Sequence, residues 1–74
     1  MMSHPSITFR DLINRVEKLG FYKVRQKGSH IRFVHPDGRK TTIPDHGSKD
    51  VPHGLLSKII RYDLKIDIND FWSS

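Results

Sequence analysis

A histidine that follows a tight turn and precedes an arginine is the part of the sequence best suited to chemistry. His30 comes directly after Gly28 and Ser29, and it begins the segment His30–His35, in which polar and apolar residues alternate through Phe33. Alternation of this length predicts a half-buried strand, so His30 and Arg32 share its exposed face. Histidine exchanges a proton near neutral pH, and arginine holds phosphate oxygens. The pair therefore suits acid–base chemistry beside a phosphate.

Further cations are expected close to this histidine. Residues 21–26 predict a strand that pairs with the histidine strand across the turn. Three cationic side chains then lie near the histidine on the hairpin: Lys23, Arg25 and Lys27. Ser29 either binds substrate through its hydroxyl or only shapes the turn. Three residues are candidates for a second acid or base, and none of them stands out: His46, Lys49 and Lys27.

The positive charge of the chain is concentrated in its centre. The net charge is +5, and residues 21–49 carry seven lysines and arginines against two aspartates, so the whole excess lies there. This segment also holds Lys40 and Lys49, which we include among the expected phosphate contacts. A localised basic surface on a small domain is typical of proteins that bind a nucleic-acid backbone. The alternative is that the surplus cations only keep the protein soluble.

Length and composition limit the class of protein. A chain of 74 residues is expected to form one domain, residues 1–74, with a core of about 7–72 and a frayed N-terminus. The absence of cysteine excludes disulfides and fits a reducing compartment. No His-x-x-His pair or acidic triad suggests a metal site, so no cofactor is expected. No membrane span or signal peptide is predicted, and a cytoplasmic location is the default.

The apolar pattern predicts the order helix, three strands, helix. Helix one is expected over residues 8–19, with Thr8 as its N-cap and Gly20 at its end. Strands are expected over 21–26, 30–35 and 40–43, and helix two from about Val51. A short final helical turn is expected over residues 67–72, packed onto the core by its apolar side chains.

Strict alternation assigns the strand residues to two faces. The apolar face is predicted to hold Tyr22, Val24, Ile31, Phe33, Thr41 and Ile43. The opposite face is predicted to hold Lys23, Arg25, His30, Arg32, Val34, Lys40 and Thr42. Covering the apolar face with both helices gives an α+β fold, a two-layer αβββα sandwich with a three-stranded antiparallel sheet and two helices on one face.

This order resembles the double-stranded RNA-binding domain, and the sequence is similar more specifically to HicA, the toxin of a bacterial type II toxin–antitoxin pair. The resemblance covers most of the chain and rests on five segments in the same order and spacing: Gly20–Phe21, Arg25–His30, His35–Arg39, Ile43–Gly47 and Pro52–Leu56. Many relatives carry a second histidine after the first, where this chain has Ile31, and often a threonine where it has Leu55.

The resemblance implies an mRNA interferase, an endoribonuclease that is neutralised when a HicB-type antitoxin covers its active site. His30 matches the catalytic histidine of the family, acting as general acid or base in attack by a 2′-hydroxyl on the adjacent phosphate. The predicted RNA contacts are Lys23, Arg25, Lys27, Ser29, Arg32, Lys40 and Lys49.

Three readings remain open from the residues, and the ribonuclease is the first. In the second reading, His30 is an ordinary strand histidine on a solvent-exposed face. The domain is then a non-catalytic RNA-binding module that recognises shape, phosphates and 2′-hydroxyls. A third reading is a small interaction protein whose basic face meets an acidic partner. His35, which precedes a turn, is expected to have a structural role.

Overall fold

The fold is a three-stranded sheet covered on one face by helices. A computed structural model describes residues 6–73; the expected fraying and His4 fall on residues 1–5, outside the described part. Its elements are α1 (Phe9–Lys18), β1 (Tyr22–Lys27), β2 (His30–Val34), β3 (Lys40–Pro44), α2 (His53–Lys58), a π-helical segment (Ile59–Leu64) and α3 (Ile68–Ser73). The predicted α+β class and the order of elements are confirmed. No helix in the described part is long and apolar enough to cross a membrane.

Helix α1 begins and ends where its capping residues predict. The Thr8 hydroxyl accepts a hydrogen bond from the Asp11 N–H at 3.1 Å, which satisfies a donor of the first turn. Gly20 has a φ of +102°, a conformation that side chains with a Cβ rarely adopt. The imidazole of His35 also lies so close that a Cβ on Gly20 would sit 2.9 Å from its Nε2. Glycine is therefore required here for two separate reasons.

The sheet is a meander in the order β1-β2-β3, with both neighbouring pairs antiparallel. Gly28 and Ser29 form a two-residue turn between Lys27 and His30, and Gly28 has a φ of +59°. A glycine with positive φ in the first turn position is what a type II′ hairpin turn requires. The predicted reversal at Pro36–Arg39 is also present, with the Gly38 N–H donating to the His35 carbonyl at 2.9 Å.

The face assignment predicted for β1 is wrong at three positions. Lys23 pairs with Phe33, but Arg25 pairs with Arg32, so Val24 is an extra residue in a β-bulge. The bulge moves Tyr22 to the open face, where it pairs with Val34, and moves Lys23 to the helical side. Tyr22 and Val24 are exposed instead of buried. Phe21, directly before the strand, enters the core in their place.

The helical layer covers β2 and β3 and leaves β1 exposed along its whole length. Ile31, Phe33 and Ile43 supply the sheet's share of one buried apolar cluster, and the buried residues of the helices supply the rest. The π-helical segment has a wider turn than an α-helix, and Ile59, Ile60 and Leu64 are all buried. Thr41 joins the two layers, because its hydroxyl donates to the Asp63 carboxylate at 2.9 Å.

The predicted final turn is α3, and it closes the core. The Asp67 side chain accepts from the Asn69 N–H at 2.8 Å, and Phe71 is fully buried. Arg15 of α1 donates to the Phe71 carbonyl at 2.9 Å, and its guanidinium lies over the Phe71 and Trp72 rings at 5.4 Å from each centroid. The two ends of the described chain are thus fastened to each other on the helical side, away from His30.

Candidate nucleic-acid interface

The open face of the sheet consists of three rows of residues that pair across the strands. The rows are Lys27–His30–Pro44, Arg25–Arg32–Thr42 and Tyr22–Val34–Lys40. Directly paired residues project from the same face of a sheet, and so do alternate residues along one strand. The three rows therefore form one surface, which the helices leave uncovered. We call it the open face.

His30 is held at one end of the open face by the geometry of the hairpin. It is the first residue of β2, directly after the Gly28–Ser29 turn, and its side chain is exposed. The register places Lys27 on one side of it and Pro44 on the other. Ile31, the next residue, is buried in the core and fixes which way the strand faces. The imidazole is thus accessible to a ligand while its backbone is anchored.

A shallow cavity lies around this histidine. Its volume is about 230 Å³, and it is lined by Arg25, Lys27, His30, Arg32 and Thr42. Arg32 is oriented by the Thr42 hydroxyl, which lies 3.4 Å from its Nη1. No carboxylate of residues 6–73 lines the cavity, so nothing neutralises its two arginines and its lysine locally. Like charges gathered in a concave surface attract an anion such as a phosphate. We call this cavity the His30 pocket.

Three other predicted contacts do not line the His30 pocket: Lys23, Ser29 and Lys40. Lys23 faces the helical side, where its Nζ lies 3.4 Å from Gln26 Oε1, so the prediction that it shares a face with His30 is wrong. Ser29 is half-buried, and its carbonyl accepts from the Asp45 N–H at 2.7 Å, which ties the turn to the end of β3. Lys40 is exposed in the third row of the open face.

Lys49 and His46 belong to a loop beside α1. The Phe9 N–H donates to the Lys49 carbonyl at 3.0 Å, and the His46 ring meets the Phe9 ring edge-on at 5.0 Å. Neither residue lines the His30 pocket. Of the three candidates for a second proton-carrying group, Lys27 alone lines it. Thr42 is the lining residue that was not predicted as a contact, although the alternation of β3 had put it on the correct face.

His35 has the structural role expected of it. Its ring lies edge-on to Phe21 at 5.1 Å, and its Nδ1 is 3.0 Å from an Asp37 carboxylate oxygen. The Asp37 backbone N–H also donates to this nitrogen at 3.1 Å. Arg39 completes the cluster: it pairs with Asp37 at 2.8 Å, stacks on Phe21 and donates to the Leu64 carbonyl. The Arg39 backbone N–H is the main cause that lowers the pKa of Asp37.

A larger cavity of about 570 Å³ lies on the helical side, next to α1 and Trp72. It is lined by both signs of charge, including Asp11 and Lys18. Mixed charge gives it no preference for a polyanion, and it is on the opposite side from the open face. The smaller His30 pocket is therefore the better candidate for phosphate chemistry. No group of three or more potential metal-binding side chains converges within residues 6–73.

A match to a known protein family covers most elements of the fold. A family model described as the HicA toxin of bacterial toxin–antitoxin systems matches residues 9–64. The match begins at the first residue of α1 and ends at the last residue of the π-helical segment, so it includes the whole sheet and leaves out α3. No curated protein matches the sequence. Because the family match spans about three quarters of the chain, the protein belongs to the HicA toxin family of bacterial toxin–antitoxin systems.

Proposed function

We propose that the protein is an endoribonuclease that cleaves mRNA and is the toxin partner of a HicB-type antitoxin. The observation that carries this proposal is the convergence of an exposed histidine with Arg25, Lys27 and Arg32 in one cavity without a carboxylate. A titratable group beside unneutralised cations is what phosphodiester cleavage needs. Membership of a toxin family supports the same conclusion independently. An mRNA substrate also implies action in the cytoplasm.

In the proposed reaction, the RNA supplies its own nucleophile. A 2′-hydroxyl attacks the adjacent phosphorus, a bond forms between the 2′ oxygen and phosphorus, and the bond from phosphorus to the 5′ oxygen breaks. His30 takes the proton from the 2′-hydroxyl while Lys27 gives one to the leaving 5′ oxygen; in the reverse assignment His30 gives that proton and water takes the one from the 2′-hydroxyl. Arg25 and Arg32 bind the non-bridging oxygens and stabilise the charge that develops on them. Lys27 is the second side chain of the pocket that can give a proton.

This reaction leaves a chemical signature on its products. Attack by the 2′-hydroxyl leaves one fragment with a 2′,3′-cyclic phosphate and the other with a 5′-hydroxyl. The experiment is to incubate the purified protein with RNA and to determine both ends, with and without a chelator. The proposal predicts these ends at an equal rate in both conditions. Fragments with a 5′-phosphate, or loss of cleavage on chelation, would contradict it.

Substitution of the histidine separates catalysis from binding. His30→Ala is expected to lower cleavage by roughly 10²–10⁴-fold while RNA affinity and folding are retained. His53→Ala is the matched control, because His53 is also exposed but lies at the start of α2. A wild-type protein that binds RNA without cleaving it would favour the non-catalytic RNA-binding module instead.

The antitoxin is proposed to act by covering the open face. A HicB-type partner that neutralises the protein then has to contact His30 or the cations of its pocket. Protection of the open face can be measured by hydrogen exchange of β1 and β2 in the presence of the partner. A neutralising complex in which this face stays open would exclude occlusion.

A further inference from the structure

An exposed aromatic residue lies on the same face as the His30 pocket, at the other end of the sheet. Tyr22 is 51% exposed and pairs with Val34, which shares its face with His30 and Arg32 along β2. No functional role was expected of Tyr22, because regular alternation predicts it as part of the core. Its exposure follows from its place on the open face, which the helices do not cover.

The bulge at Val24 is what brings this aromatic ring to the basic side. Without an extra residue between Lys23 and Arg25, the alternation would put Lys23 opposite Val34 and Tyr22 on the helical side. β-Bulges often re-aim a side chain next to a functional site. The open face therefore gains a tyrosine in place of one more lysine, although the local sequence is rich in cations.

The distance from Tyr22 to His30 matches the scale of a nucleic-acid strand. The row of Tyr22, at Val34, is four residue steps along β2 from the row of His30, which at ~3.3 Å per residue is about 13 Å. The row between them carries Arg25 and Arg32, and Lys40 lies at the far end of the Tyr22 row. An extended strand with a phosphate in the His30 pocket would thus pass two guanidinium groups and reach the ring about two nucleotides away.

We propose that Tyr22 is a stacking platform for an unpaired base of the RNA whose phosphate occupies the His30 pocket. This proposal rests on the proposed function and adds a base-binding subsite to it. Aromatic rings interleaved with cations bind single strands, because every base has a face that stacks. The apolar surface at this end of the open face is Tyr22 and Val34, bordered by Arg25 and Lys40.

The test measures binding to a short single-stranded RNA by fluorescence anisotropy, in a His30→Ala background so that the RNA is not cleaved. Adding Tyr22→Ala is expected to weaken binding roughly 5- to 100-fold, whereas Tyr22→Phe keeps the ring and the affinity. Tyr62→Ala is the matched control, because Tyr62 is 65% exposed but lies in the π-helical segment. Thermal melting of each variant checks that the fold is intact.

A series of RNAs that each lack one base locates the contact. One abasic position is expected to weaken binding to the His30→Ala protein, and that position should have no further effect once Tyr22→Ala is added. Equal affinity of the Tyr22→Ala and Tyr62→Ala variants would overturn the proposal. So would unchanged RNA binding together with weakened antitoxin binding, because Tyr22 would then belong to a protein interface.

Failure of this proposal and failure of the proposed function give different results. If the wild-type protein cleaves RNA and binding does not depend on Tyr22, the subsite is absent but the ribonuclease assignment stands. If the wild-type protein never cleaves RNA but the abasic effect depends on Tyr22, the subsite stands and the assigned reaction is wrong.

Discussion

Strands β1 and β2 are hydrogen-bonded neighbours, yet different forces determine which way their side chains face. In β2, Ile31 and Phe33 enter the core and the residues between them stay on the open face. In β1 every residue is exposed, because the helices do not reach over it. A shift of one residue in the register of β2 would expose Ile31 and Phe33 to water. An extra residue in β1 exposes no core side chain. The buried residues of β2 therefore fix the orientation of His30 and Arg32, whereas the orientation of the β1 side chains is not fixed by burial.

The largest expected difference between the two strands is in stability. Phe33→Ala removes a ring that is 1% exposed and is expected to lower the free energy of unfolding by roughly 3–5 kcal/mol. Tyr22→Ala, on the paired strand, is expected to change it by less than about 0.5 kcal/mol. Urea denaturation of both variants measures this contrast. A Tyr22 variant as unstable as the Phe33 variant would mean that β1 is not free of the core.

The connection into β1 is expected to be less tolerant than the strand. Gly20→Ala is expected to cost roughly 1–3 kcal/mol, because Gly20 has positive φ and the His35 ring leaves no room for a Cβ. Gly54→Ala is the control, since Gly54 lies in α2 with open space around it. That variant is expected to stabilise the protein by up to about 1 kcal/mol. Thermal melting measures both variants. A higher melting temperature for Gly20→Ala than for Gly54→Ala would contradict this assignment.

Lys23 and Lys27 test whether the two sides of β1 differ in RNA binding. Lys27 lines the His30 pocket, whereas Lys23 faces the helical side. Lys27→Ala is expected to remove about one phosphate contact and to reduce the slope of log affinity against log salt by ~0.7. Lys23→Ala should leave the slope nearly unchanged. Equal slopes for the two variants would mean that RNA contacts both sides of β1 to the same extent.

The smallest expected effect is at the turn between β2 and β3, where Asp37 accepts from Arg39. Because the pKa of Asp37 in the folded protein lies below the ordinary value of 3.8, its ionised form stabilises the fold. This contribution is complete above that value and is lost as the pH falls through the lowered pKa. Asp37→Asn should therefore be less stable than wild type at neutral pH, and the gap should close in acid. Denaturation of both proteins at several pH values measures this difference in stability. A difference that persists in acid would exclude the Asp37 carboxylate as its cause.

The fold was predictable where burial constrains the chain. Thr8 and Gly20 marked the ends of α1, and the apolar residues of β2 and β3 identified the covered face. The sequence also singled out Arg25 and Lys27 as neighbours of His30 across the hairpin, and Arg32 as two residues along the same strand. Each of these predictions depends on a local geometric requirement that few residue types satisfy.

The parts that were not predictable lack such a requirement. The pattern Tyr22–Lys23–Val24–Arg25 reads as regular alternation, and nothing in it marks a bulge. Whether the helices extend over β1 depends on packing across the whole layer, which the strand does not encode. The exchange of Tyr22 and Lys23 between faces follows from these two facts. Which residues share the open face was therefore predictable near the turn and not at the far end of the sheet.

One measurement addresses the central claim, that His30 performs chemistry on a fold that does not depend on its side chain. The rate of RNA cleavage and the free energy of unfolding are measured for wild type, His30→Ala and His53→Ala. The expected result is cleavage reduced by at least ~10²-fold in His30→Ala alone, with all three free energies within about 0.5 kcal/mol. Cleavage by His30→Ala at the wild-type rate, or a loss matched by unfolding, would contradict the claim.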